Sequence, residues 1–155
     1  KREVIMTSEN VEFDRSLLGQ EFPSGNYEVT SDVIKSYSTA VGETNLIHFD
    51  EVEAQKNGYK SIVAPPTIVN ILIRSLGRPK VNLSFNGLTA HAGQSLENFV
   101  PICAGDTIDA KTLLKDVYTK TGRTGTMAFV VWETVFSNQN GELVAKARES
   151  FFTRK

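Results

Sequence analysis

Glu43 and His48 stand five positions apart in Gly42-Glu43-Thr44-Asn45-Leu46-Ile47-His48, where glycine and asparagine free the backbone from helical geometry. A carboxylate and an imidazole so placed can hold one water molecule between them, one group taking its proton while the other gives one back. On residue types alone, the stretch also fits a polar loop that ends in a surface histidine. His91, in an Ala- and Gly-rich run, reads as a pocket or sheet residue. Cys103, in Val100-Pro101-Ile102-Cys103-Ala104, reads as a small buried side chain rather than a nucleophile.

What must position the pair is a second stretch, Ala64-Pro65-Pro66-Thr67 through Gly77. Its prolines suit a first helical turn, and Gly77 before Pro79 reads as a stop. Ile68, Val69, Ile71, Leu72, Ile73 and Leu76 point nearly all round such a helix, so it should be wrapped by other elements. Upstream, Tyr27–Thr30 reads as a short strand after a turn-like Phe22–Asn26, and Ser31 reads as the cap of a helix ending at Gly42. A second short helix is expected from Glu51 to Lys56, capped by Asp50 and stopped at Asn57-Gly58.

From about Gly87 the apolar period becomes two. Strands are expected over 94–100, over 107–118 with a bulge near Leu113-Leu114, over 126–136, and after the Asn138–Gly141 turn. In the last of these, Leu143, Ala145, Ala147 and Phe151 should face in. Helices first and a long meander afterwards predict an α+β domain. Two architectures fit: a hot-dog fold, in which a curved antiparallel sheet wraps one long buried helix, and a cystatin-like or NTF2-like cone. The wholly apolar helix favours the hot dog. A single domain over 1–155 is expected, with about 1–12 as a flexible tail.

Seventeen Lys and Arg against eighteen Asp and Glu leave almost no net charge, which argues against nucleic acid as partner. Asn70 and Arg74 interrupt the longest apolar run, so no membrane span is expected. The first six residues lack the apolar core of a signal peptide. One cysteine cannot form an internal disulfide, and a cytoplasmic protein is expected.

Residues 42–50, Gly-Glu-Thr-Asn-Leu-Ile-His-Phe-Asp, resemble the hydratase-2 signature of MaoC-like hot-dog proteins, G-D-x-N-P-[LIV]-H. The likeness to the FAS1-like dehydratase branch is wider. It includes Ala64-Pro65-Pro66-Thr67, His91-Ala92-Gly93-Gln94, Ala104-Gly105-Asp106-Thr107 and Gly122–Met127, and spans nearly all of 11–153. The resemblance implies addition of water to a trans-2-enoyl thioester, or its removal from an (R)-3-hydroxyacyl thioester, on coenzyme A or acyl carrier protein. It implies no other cofactor and no metal.

By the same resemblance, Glu43 and His48 would activate the water and Asn45 would orient the pair. Three departures stand out. Glu43 replaces the signature Asp, and its extra methylene moves the carboxylate by more than about an ångström, enough for roughly a hundredfold in rate. Leu46 replaces the signature proline. Pro65-Pro66 replaces a His-Gly whose glycine N–H helps hold the thioester oxygen, which leaves Ala64 N–H or Thr67 N–H to substitute. Lys60, Lys120 and Arg123 could meet coenzyme A phosphates.

The apolar faces of 126–136 imply a homodimer, or a heterodimer with another hot-dog chain. Three rival readings remain: a non-catalytic subunit that shapes the acyl pocket of an active partner, a hot-dog thioesterase with Glu43 as general base, and a binding module without chemistry.

Overall fold

The computed structural model describes residues 6–7, 11–122 and 125–154. A six-stranded antiparallel sheet dominates it. Strand β1 (Met6–Thr7) and β2 (Glu21–Glu28) both pair with β4 (Thr107–Gly122), followed by β5 (Gly125–Ser137), β6 (Leu143–Arg154) and, at the far edge, β3 (Leu88–Asn98). Phe22–Asn26, expected as a turn, lies inside β2. Pro23 is tolerated because β2 is an outer strand, and the register shifts between Pro23 and Gly25. The expected bulge in β4 falls one residue later, between Leu114 and Asp116.

Helix α1 (Ser31–Ala40) is capped by Thr30, whose hydroxyl accepts the Val33 N–H at 3.2 Å, rather than by Ser31. Helix α2 (Glu51–Lys56) has the expected cap, Asp50 Oδ1 accepting Glu53 N–H at 2.9 Å. The central helix is shorter than its apolar stretch: a 3-10 turn over Pro66–Ile68 runs into α3 (Val69–Arg74), and the chain is irregular from 75 to 87. Nor is it wrapped on every side, since Ile71 stays 37% exposed.

Side-chain parity explains how α3 is held. Ile108, Ala110, Phe136, Ala145 and Ala147 share the inner face of the sheet and pack against Ile68, Val69, Leu72 and Ile73. Each of these helix residues is almost fully buried and contributes on the order of 1.5–3 kcal/mol. Farther along the same face, Leu114, Ala128 and Trp132 form a second core under Val11, Leu17, Val81 and Leu83. Segments 11–14 and 81–84 are tied together there, with Asp14 N–H donating to Val81 O and Ser84 N–H to Glu12 O. Of the expected tail, then, Val11 and Glu12 are packed and bonded, while residues 1–5 and 8–10 lie outside the described residues.

Strand β5 lies between β4 and β6, as its apolar pattern implies, but its outer face is not bare. Glu133 sits there under Lys115, Lys146 and Arg148, whose stems cover the strand. On β6 the inner face includes Glu149 as well as the expected alanines, whereas Leu143, expected to face in, begins the strand exposed. Edge strand β3 is mostly exposed, with one edge unpaired among the described residues.

Candidate functional site

His48 occupies the last position of a 3-10 turn, Leu46–His48, between α1 and α2. The turn forms because Asn45 caps it, Oδ1 accepting Ile47 N–H at 3.2 Å, and because Gly42 adopts φ +77°, which an L side chain resists. Glu43 is anchored through its own N–H, which donates to Ser38 O at the end of α1. Thus Asn45 acts on the pair through the backbone turn it caps.

The imidazole is buried, with 8% of its side chain exposed, and Nδ1 lies 2.7 Å from Val63 O. A carbonyl only accepts, so Nδ1 carries a proton, and in the neutral form of the ring the bare lone pair lies at Nε2. Across from it, Glu43 Oε2 lies 4.0 Å from Nε2, and its side chain is 41% exposed. That separation is too long for a direct hydrogen bond and right for one water that donates to both. A water whose two protons are held this way has its lone pairs turned outward.

His48 opens on a cavity of about 320 Å³ lined chiefly by Ile47, Val63, Pro65, Phe99, Val100 and Ile102. Its other polar side chains are Tyr59 and Asn98. Tyr59 follows Asn57-Gly58, a helix stop visible in the sequence, whereas nothing in 94–100 marked Asn98 or Phe99 as cavity walls. Glu43 is outside the lining and reaches the cavity only through its neighbour His48.

The helix start behaves differently from expectation. Ala64 N–H already donates to Ile102 O at 2.8 Å, because 62–64 and 102–104 form a short antiparallel bridge. It is therefore not a free donor for a substrate oxygen. Thr67 is exposed and outside the cavity lining, and its carbonyl accepts the Tyr37 hydroxyl at 2.8 Å.

The three basic residues also find other places. Lys60 is paired with buried Asp106, Lys120 lies over the Tyr118 and Phe129 rings, and Arg123 is outside the described residues. Burial pushes the Asp106 carboxyl up, but Lys60, Cys103 N–H and Gln139 outweigh that and hold it below the ordinary carboxylate value. Burial likewise raises the Cys103 thiol, which keeps it protonated and inert.

His91 sits apart from His48, in a second cavity of about 620 Å³ between α3 and β3. Its ring meets Phe151 edge-on, 5.2 Å between centroids. There Arg78 pairs with the buried Glu149, and Gln94 bonds to Asn70 at 2.7 Å. Among the described residues no group of three or more His, Cys, Asp or Glu could hold a metal ion, and no helix is long and apolar enough to cross a membrane.

Residues 16–147 match the family described as FAS1-like, dehydratase domain region. A UPF0336 protein of Saccharopolyspora erythraea is 25% identical over 147 residues, 91% of each chain. The HadBC (3R-hydroxyacyl-ACP dehydratase) complex of Mycobacterium tuberculosis superposes with a TM-score of 0.69 over 88% of this chain and 96% of that one, at 23% identity. R-hydratase PhaJ1 of Pseudomonas aeruginosa gives 0.67 over 89% and 82%, at 17% identity. With the sheet, the short buried helix and the overhanging loop that carries His48 all in place, the chain belongs to the FAS1-like dehydratase domain family and has the MaoC-like hot-dog fold.

Proposed function

We propose that this chain is a hydro-lyase that adds water to a trans-2-enoyl thioester, or removes it from an (R)-3-hydroxyacyl thioester, on coenzyme A or acyl carrier protein. The reading rests on one observation above all: an Nε2 lone pair facing a carboxylate oxygen 4.0 Å away beside an apolar cavity. Water held by both acceptors attacks Cβ as its proton passes to Nε2. The π electrons of the double bond move through Cα to the thioester oxygen, and the proton on Nε2 then returns to Cα. One water is consumed, His48 ends neutral, and the Glu43 carboxylate stabilises the transient imidazolium. No cofactor other than the carrier takes part.

Glu43 meets solvent beside His48, and β3 has an edge unpaired among the described residues. These features support a second copy, or another hot-dog chain, closing the site. They also favour one alternative, a subunit that shapes the pocket for an active partner, as the Pro65-Pro66 helix start does. A cytoplasmic location fits the single reduced cysteine.

Turnover of crotonyl-coenzyme A tests the proposal. Loss of enoyl absorbance without thiol release, abolished by His48→Ala, is the expected result. Thiol release from a saturated thioester would instead mark a thioesterase. Silence alone with activity on mixing would mark the shaping subunit, and activity untouched by His48→Ala would overturn the assignment.

A further inference from the structure

Protonating Cα last means that negative charge collects on the thioester oxygen, and such a charge needs a preorganised donor in a dry site. The main chain around the cavity offers few. Pro65, Pro66 and Pro101 have no N–H. The N–H groups of Ile47, His48, Tyr59, Val63, Ala64 and Phe99 are each already donated, to Asn45 Oδ1, Asn45 O, Ala54 O, Ile47 O, Ile102 O and Val144 O.

Among the side chains, His48 is committed to Val63 O and the water. Tyr59 and Asn98 remain, and of the two Tyr59 is the partly buried one, with its hydroxyl unbonded to any protein group among the described residues. Its main chain is fixed by the C-terminus of α2. Gly58 takes φ +86° and donates to Gln55 O, while Tyr59 N–H reaches back to Ala54 O at 3.1 Å. This is a Schellman closure, and it aims the residue that follows the glycine. The six-residue helix α2 thereby carries the chain from His48 at one cavity wall to Tyr59 at another.

We propose that the Tyr59 hydroxyl is the hydrogen-bond donor to the thioester carbonyl oxygen, in place of the main-chain donor that Pro66 cannot supply. The proposal rests on the hydratase reading for its substrate class. A phenol suits this role because it donates, is neutral at pH 7, and has a rigid ring that loses little freedom on ordering. Asn98, exposed at the end of β3, and the N–H groups of Val100 and Ile102 are the competing donors on the same walls.

The experiment compares Tyr59→Phe and Asn98→Ala with wild type in two readouts, after thermal melts show that both variants fold. In crotonyl-coenzyme A hydration, Tyr59→Phe should lower kcat roughly 10²-fold with little change in KM. In isotope-edited infrared spectra of bound butyryl-coenzyme A, which cannot react, the thioester carbonyl band should shift down in wild type and Asn98→Ala but not in Tyr59→Phe. A wild-type shift retained in Tyr59→Phe, or a rate loss confined to Asn98→Ala, overturns the assignment while leaving the hydratase reading intact. A shift that depends on Tyr59 in a chain without turnover supports the donor and removes the hydratase reading. Failure of the thioester to bind removes both.

Discussion

Val63 O lies 2.7 Å from His48 Nδ1, and this one contact decides which imidazole nitrogen is available for chemistry. Because the acceptor is backbone, no surface substitution can change the tautomer without moving the chain itself.

Replacing the ring should therefore remove both the lone pair and the proton shuttle. His48→Ala is expected to lower kcat by about 10²–10⁴-fold in the hydration assay. The melting temperature, followed by circular dichroism, should fall by several degrees, because the buried Val63 O loses its donor.

Glu43 tests the water geometry separately. Glu43→Gln keeps the length but offers a donor in place of an acceptor, so kcat should drop by roughly 10²-fold or more. Glu43→Asp keeps the charge and pulls it back by about an ångström, and should cost up to about 10²-fold. If Glu43→Asp proves faster than wild type, the carboxylate here is too close rather than well placed.

Asp106 provides the pH dependence. Its carboxyl is 1% exposed, accepts from Lys60, Cys103 N–H and Gln139, and titrates below its ordinary value. Stability from a depressed carboxyl is complete above its unfolded value, about 4, and is lost as pH falls through the lower folded value. Asp106→Asn should destabilise the fold by about 1.5–3 kcal/mol at pH 7 and flatten the acid limb of a denaturation series below about pH 4.

Half-buried Arg78 pairs with the buried Glu149 in the second cavity, with the guanidinium 5.6 Å from the Trp132 ring. Removing one partner leaves the other charge uncompensated. Arg78→Ala should cost about 1–3 kcal/mol, and adding Glu149→Leu should recover much of it. Urea denaturation of the four proteins in this cycle measures the coupling.

The parts of this arrangement that could be read from residue order are those with local causes. Asp50 caps α2, Gly58 ends it and Asn138–Gly141 turns the chain because nearest neighbours supply the hydrogen bonds. Glu43 and His48 were legible as a pair for the same reason. Long-range partners were not. Nothing near Phe22–Asn26 announces that Thr112 to Asp109 lies alongside, so a strand looked like a turn. The apolar run from Ile68 to Leu76 implied a helix wrapped all round, yet Ile71 faces outward, since apolar pattern alone does not say where the sheet ends. Ala64 looked like a donor, yet Ile102, thirty-eight residues on, claims its N–H. Glu149 alternated correctly but is polar, and only its pairing with Arg78 lets it face the core.

The ribbon that runs from Ile62 to Ala64 serves two masters. One carbonyl aims the imidazole, and the next N–H is stitched to Ile102, which forms a wall of the cavity beside it. The cavity wall and the bearing of the imidazole are thus mechanically geared together: a change that displaces the Ile102 main chain also pulls on the strand whose carbonyl keeps the ring pointed. Any reshaping of that wall must retune both at once.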